Sequence, residues 1–437
     1  MPRKVRLEDL RLEVPRHPDP NITKEYELIS PLWGGGERPN RRDSVTGIRP
    51  SSIKGQLRFW WRAVRGWQAG GSLKRLLELE EKIWGGVTKV KQSSRVRIEV
   101  ELIEPNEPEK IEHLSAREVP RYVAFPLFQG EGEDRGEDRE KALSKKGIRF
   151  RLKAWLDPLE DEGLSLDILQ KEVKAALWAW ETFGGIGART RRGFGAVALS
   201  GAGEPASAQE IKNKLRDFGA LDSKDWPEDV PHLTASSPIA VLDKPWQEVV
   251  ELYQRFRQYR PEAKRLRNGK AIPGPNKWPE PALIRWAYEP HRRSEPPVQV
   301  APRAQFGLPV PFFFLQEKKK LGKGGKLRLT GKEEDRLASP LIIRPLRGSR
   351  TLVAVLEGPR TPPGGVRLDP EPKATTLKRG VKVVLNDETA RKLVESGLRV
   401  LEVGGRLHLD PVLTFWECIQ DVECVRLLQP EEGELGR

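Results

Sequence analysis

SSIKGQLRFWWRA, residues 51 to 63, sets one lysine and two arginines beside an adjacent tryptophan pair. A helix turns by about 100° per residue, so the stretch sorts itself on a wheel. With Ile53 at zero, Leu57, Trp60, Trp61 and Val64 fall within roughly 80°, while Lys54, Arg58, Arg62 and Arg65 fall at roughly 100° to 180°. One side is apolar and its neighbour is cationic. Ser51 or Ser52, after Pro50, suits the N-cap, because a hydroxyl can accept from an orphan amide of the first turn. Gly55 lies on the cationic side, where it weakens the helix but permits close approach to the backbone. Trp61 sits at the border, able to cover the core's edge or to stack on a base.

Working outward, KEYELISPLW (24 to 33) reads as a strand broken by Gly34 to Gly36, and SLKRLLELEEKIW (72 to 84) as a second helix. SRVRIEVELI (94 to 103) and GIRFRLKAWL (147 to 156) alternate as strands do. SLDILQKEVKAALWAWETF (165 to 183) carries Leu166, Leu169, Val173, Leu177 and Trp180 at helical spacing, and it runs into GGIGARTRRGFGAVALSG, whose second part reads as a strand. The order is βαββαβ, the ferredoxin-like arrangement. Residues 129 to 146 are too polar to bury anything and read as an insertion.

Beyond residue 204 the pattern is harder to parse. PWQEVVELYQRFRQY (245 to 259) is expected to be a helix, and LIIRPLRGSRTLVAVLEG (341 to 358) two strands across a turn. Basic, Pro/Gly-rich loops at 260 to 281, 289 to 303 and 316 to 332 separate them, and no repeat of the first half is visible.

The chain of 437 residues holds 77 basic and 63 acidic residues, a formal charge of +14. Such an excess favours a polyanionic partner and says nothing of fold. Charged residues at 32% and a single methionine suit a thermophile. Two cysteines, Cys418 and Cys424, make neither a disulfide framework nor a four-ligand zinc site, so both are expected as reduced thiols. No apolar run approaches the roughly 18 residues of a membrane span, and no apolar leader opens the chain, so a cytoplasmic protein without a membrane partner is expected.

The segment GGIGARTRRGFG (184 to 195) is neither a GxGxxG fingerprint nor a phosphate-binding GxxxxGK[ST] loop, and it follows a helix rather than a strand. RGFGAVAL resembles the start of an RNP1 motif, but Ala196 and Leu199 replace two of its aromatics. Two readings stay open: a structural turn, or a loop gripping phosphates through Gly184, Gly185, Gly187, Gly193 and Gly195 together with Arg189, Arg191 and Arg192. None of the five histidines (His17, His113, His232, His291 and His408) lies in a recognised motif, and each is expected at the surface. The carboxylates show no metal-ligand spacing, so no metal, cofactor or catalytic residue is expected.

The succession ISPLWGGG, IRPSSIKGQLRFWWRA, LEEKIWGG and FGGIGARTRRGFG resembles the RAMP superfamily of CRISPR-associated proteins, and within it the subunit-one family of Cmr (type III-B) effector complexes. RAQFGLPVPFFF (303 to 314) and LASPLIIRP (337 to 345) resemble the second half of that family. The resemblance implies an α+β chain: a leader (1–23), a first RAMP domain (24–203), and a second, RAMP-like domain (204–437), the two being tandem ferredoxin-like, RRM-like units with long insertions. It implies a non-catalytic RNA-binding subunit that contacts guide RNA and target RNA near the guide's 3′ end, beside other RAMP subunits, in antiviral defence. The candidate RNA contacts are Arg49, Ser52, Lys54, Arg58, Arg62, Trp61, Arg189, Arg191 and Arg192. Two alternatives remain: a metal-independent RAMP endoribonuclease that processes guide RNA, and a protein-binding scaffold with incidental RNA affinity.

Overall fold

The computed structural model describes residues 18–36, 43, 46–87, 91–103, 119–125, 143–144, 146–261, 263–265, 271–288, 298–314, 326–370 and 381–429. The polar insertion of residues 129 to 146, most of the leader, the middle of each basic loop, and His17, His113 and His291 lie largely or wholly outside these residues.

The first half builds an antiparallel sheet from β1 (Ile22–Leu28), β2 (Val96–Leu102), β3 (Arg149–Leu156) and β4 (Val197–Leu199), in the order β2-β3-β1-β4. Tyr26 of β1 stands opposite Phe150 on one side and Leu199 on the other. In β3 the alternation is strict: Phe150, Leu152, Ala154 and Leu156 point inward. Arg151 and Lys153 point outward, where Arg151 meets Glu25 at 2.6 Å and Lys153 meets Glu101 at 3.1 Å. Period-two patterning thus fixes which face is core.

Helices α1 (Pro50–Arg65), α2 (Leu73–Trp84) and α3 (Leu166–Phe183) cover the inner face. Ile53, Leu57, Trp60, Trp61 and Val64 of α1 are all buried, as the wheel requires. Trp60 stacks on Phe183 at 5.7 Å between ring centres. The N-cap of α1 is Arg49 rather than a serine, and its side chain makes no capping bond; Pro50 opens the helix instead, where its missing N–H costs nothing. Ser72 and Ser165 do cap α2 and α3, accepting from the amides of Arg75 and Ile168.

In the second half, β5 (Ile239–Leu242) and the hairpin strands β8 (Leu341–Leu346) and β9 (Arg350–Val355) form a three-stranded antiparallel sheet in the order β8-β9-β5, with helix α4 (Trp246–Arg257) following β5. These strands follow the connection of the first sheet, but no fourth strand joins them among the described residues. A separate sheet, β6 (Val310–Phe313), β7 (Lys326–Gly331) and β10 (Val366–Asp369), packs with helix α5 (Pro279–Tyr288) around a smaller core. The molecule is therefore α+β throughout.

The hairpin β8-β9 explains how the halves join. Ile342, Leu346, Leu352 and Ala354 belong to the core under the first sheet, whereas Leu341, Ile343, Val353 and Val355 belong to a second core with α4. With side chains alternating across a strand, one short sheet serves both cores. Both faces are buried, which is why LIIRPL and TLVAVL are apolar nearly throughout. In return, Trp33 and Phe194 of the first half enter the second core.

Cys418 and Cys424 correct the expectation of free thiols. Cys418 ends helix α6 (Pro411–Cys418), Cys424 lies in α7 (Val422–Leu428), and the turn between them brings the two sulfurs into a disulfide.

Candidate nucleic-acid interface

Three carboxylates decide what the cations of α1 can do. Glu80 of α2, with a side chain only 5% exposed, accepts from both Arg58 and Arg62 at 2.7 Å. Glu172 of α3, buried to the same degree, accepts from Trp61 Nε1 at 2.8 Å, from Arg65 Nε at 2.9 Å and from Arg65 Nη2 at 2.5 Å. Arg49 lies 3.5 Å from Asp43. The face read as free cationic surface is thus largely neutralised by carboxylates the wheel could not see. Arg58 and Arg62 keep about a third of their side chains exposed.

Of its two readings Trp61 takes the core one and leaves the set of RNA contacts: at 1% exposure, with its indole N–H given to Glu172, it has no ring face for a base. Ser52 is half-buried, and its hydroxyl lies at the 3.5 Å limit from the Gly35 carbonyl. Lys54 stands apart, half-buried and without a carboxylate partner among the described residues. Burial, and then the charge of Arg58, hold its pKa below the ordinary lysine value. A lysine left in that state gains from an arriving anion.

The glycine loop also differs from the phosphate-gripping picture. The amides of Ile186, Ala188, Arg192, Gly193, Phe194 and Gly195 are given to protein carbonyls. Its glycines serve close packing: a Cβ on Gly195, at φ 62°, would lie 1.9 Å from the Ile186 carbonyl oxygen, and one on Gly193, at φ 92°, 2.4 Å from the Trp246 indole nitrogen. Gly184, Gly185 and Gly187 are equally crowded, at 2.5, 2.6 and 2.4 Å from their nearest neighbours. Phe194 is buried edge-on between Trp33 and Trp246, so it offers no stacking platform.

The loop's arginines point at the junction of the halves. Arg189, itself in the left-handed region at φ 58°, donates to the Val123 carbonyl at 3.2 Å and lies over the Trp33 ring. Arg191 donates to the Ser339 carbonyl and covers Phe59. Arg192 donates to the Leu341 carbonyl and the Ser339 hydroxyl, both at 2.6 Å, and to Tyr253 Oη at 3.0 Å. Burial, and then the charge of Arg192, push Arg191 down to about 10. Arg344 of β8 reaches back, donating from Nε to the Gly184 carbonyl at 3.1 Å. This residue, 1% exposed, and the carboxylates Glu80 and Glu172 escaped the sequence reading. Only Glu172 left a signal there, as a lone acid beside Leu169, Val173 and Ala176 on an otherwise apolar stripe.

His232 is not at the surface. It is 4% exposed, stacked on Trp226 at 4.6 Å, with Nδ1 held by the Val230 carbonyl at 2.7 Å and Nε2 by Ser223. Burial lowers its pKa, so the ring stays neutral at physiological pH. It lines a cavity of about 1330 Å³ whose wall mixes Lys224 and Lys382 with Glu228 and Asp229. Among the described residues no cluster of three or more His, Cys, Asp or Glu could hold a metal ion, and no helix is long and apolar enough to cross a membrane.

Residues 25–198, which carry all of α1 and the glycine loop, match the RAMP superfamily. Two curated proteins of Pyrococcus furiosus are similar. The CRISPR system Cmr subunit Cmr1-2 is 28% identical over 183 residues, 40% of this chain and 92% of that protein. The subunit Cmr1-1 is 26% identical over 184 residues, 40% of this chain and 46% of that protein, so the match spans about half of its length. Among solved structures, apo Cmr1 from Pyrococcus furiosus superposes with a TM-score of 0.43 at 16% identity, over 80% of this chain and 93% of that one. A chain of the type III-B Cmr-beta complex bound to cognate target RNA gives 0.43 at 13%, over 86% and 98%. Across residues 25–198 this chain is similar to the RAMP superfamily, and it resembles the subunit numbered one of the type III-B Cmr complexes of CRISPR systems.

Proposed function

We infer that the protein is a non-catalytic RNA-binding subunit of a type III-B CRISPR effector complex, contacting guide and target RNA near the guide's 3′ end and docking against other RAMP subunits. Its second half is read as a RAMP-like domain that has kept three strands of the ferredoxin-like order. The observation that carries the reading is the superfamily match across residues 25–198, in which α1 and the arginine loop both lie. The excess of 77 basic over 63 acidic residues supports it, since phosphate contacts dominate affinity for nucleic acids.

Protein purified at low salt is expected to carry RNA, visible in its 260/280 nm absorbance ratio. Labelled RNA is expected to be retained uncut in EDTA and in magnesium alike. Cutting in either condition by protein free of contaminating nuclease would overturn the non-catalytic reading. Absence of any retained RNA would leave a protein-binding scaffold instead.

A further inference from the structure

Five arginines (Arg189, Arg191, Arg192, Arg257 and Arg303) line one cavity of about 690 Å³ at the junction of the two halves, and no acidic residue lines it among the described residues. Arg189, Arg191 and Arg192 come from the glycine loop and Arg257 from the end of α4. Arg303 lies in a short 3-10 turn at Pro302–Phe306. Among the described residues only Arg303 is paired with a carboxylate, Glu280 beneath it at 2.8 Å, so the group there carries roughly four uncompensated charges. The guanidiniums are held by neutral carbonyls, hydroxyls and rings. Arg257 donates to Tyr122 Oη at 3.1 Å and lies over the Tyr253 and Phe306 rings, and Arg303 donates to the Arg257 carbonyl at 2.9 Å. Two donors in this group stay unpartnered and buried, Arg257 Nε and Arg303 Nη2. Like charges gathered in a concave, partly desolvated place are unfavourable unless an anion completes them.

The cavity also has an aromatic wall. Phe125 and Phe313 meet edge to face at 5.6 Å, both line the cavity, and Phe313 keeps 39% of its surface exposed. A planar base can stack on such a ring while its phosphate reaches the guanidiniums, and the volume suits one nucleotide. Inorganic phosphate would use only half of these features.

We propose that this junction cavity binds one nucleotide of an RNA strand, its phosphate among Arg189, Arg191 and Arg257 and its base against Phe125 and Phe313. The proposal deepens the RNA-binding reading and rests on it for the source of the nucleotide. Free nucleotide offers the same chemistry, and the test separates the two.

Isothermal titration of the full chain with inorganic phosphate, AMP and a ten-residue oligoadenylate tests it, alongside Arg189→Gln, Arg257→Gln and Phe313→Ala. Arg189 and Phe313 are exposed, so those two variants keep the test valid if Arg257→Gln fails to fold, which thermal melts will show. The expected result is oligoadenylate and AMP binding more tightly than phosphate. Each arginine variant should weaken both about tenfold or more, and Phe313→Ala should weaken them while sparing phosphate. Oligoadenylate binding that none of the three variants changes would overturn the cavity and leave the RNA-binding reading intact. AMP binding lost in the variants, with no affinity for the oligomer, would keep the cavity as a free-nucleotide site and overturn RNA binding. Failure of all three probes would overturn both.

Discussion

Two arginine-rich surfaces of this molecule look alike in sequence and differ in what balances them. On α1, Arg58, Arg62 and Arg65 face Glu80 and Glu172, two carboxylates each only 5% exposed. At the junction, Arg189, Arg191 and Arg192 face carbonyls, hydroxyls and aromatic rings. The first set is balanced to within one charge, and its purpose is to fasten helices. The second keeps its full charge while being structurally tethered, so it can hold an anion without moving. Counting cations finds both sets, but only the partners tell them apart.

The largest effect is expected at the balanced set. Glu172→Ala leaves Arg65 buried and unpaired, and should cost about 3–5 kcal/mol in urea or thermal unfolding. Replacing both partners with apolar residues of similar volume should recover most of that loss, as buried pairs often allow; no recovery would mean that Glu172 matters through Trp61 instead. At the junction, Arg192→Ala strands the Leu341 carbonyl and the Ser339 and Tyr253 hydroxyls, and should cost about 2–3 kcal/mol. If it cost nothing, the tether would be ornamental and the contrast between the two sets would fail.

Glu80→Gln is the sharper probe of the comparison. Arg58 and Arg62 are a third exposed, so stability should fall by only about 1 kcal/mol. Freed of their carboxylate, however, the two guanidiniums should steepen the dependence of log RNA affinity on log salt by up to roughly 1.4 for a single strand. An unchanged slope would place RNA away from α1. The smallest effect belongs to Lys54→Gln, which should flatten the same slope by roughly 0.7 and leave stability within about 0.5 kcal/mol.

Local pattern carried the elements. The wheel of α1, the alternation in β3 and the apolar hairpin at 341 to 358 all stand where periodicity put them, because one stripe or one face of each must be buried. Glu80 and Glu172 were opaque in their pairing, since a carboxylate's partner lies on another helix and spacing along one chain does not encode it. Likewise the glycines of residues 184 to 195 suggested room for a ligand, yet at Gly195 and Gly193 the occupant is the protein itself. Arg257 lay outside every motif and Arg303 opened RAQFGLPVPFFF without a role assigned to it, and only the fold brings them to the loop. The disulfide was misread for a related reason: composition speaks of compartments, while proximity is set by the turn between two short helices.

The sharing of one hairpin between two cores also has a consequence for synthesis. The last strand of the first sheet ends at Leu199, but Ile342 and Leu352, which help to seal the core beneath it, come more than 140 residues later. At about 5–20 residues per second, the ribosome takes roughly 7–30 s to deliver them. Through that interval the nascent first half presents apolar surface that nothing in its own sequence can cover. The first core therefore closes only once the hairpin has been made, and the growing chain passes through a half-closed intermediate on the way.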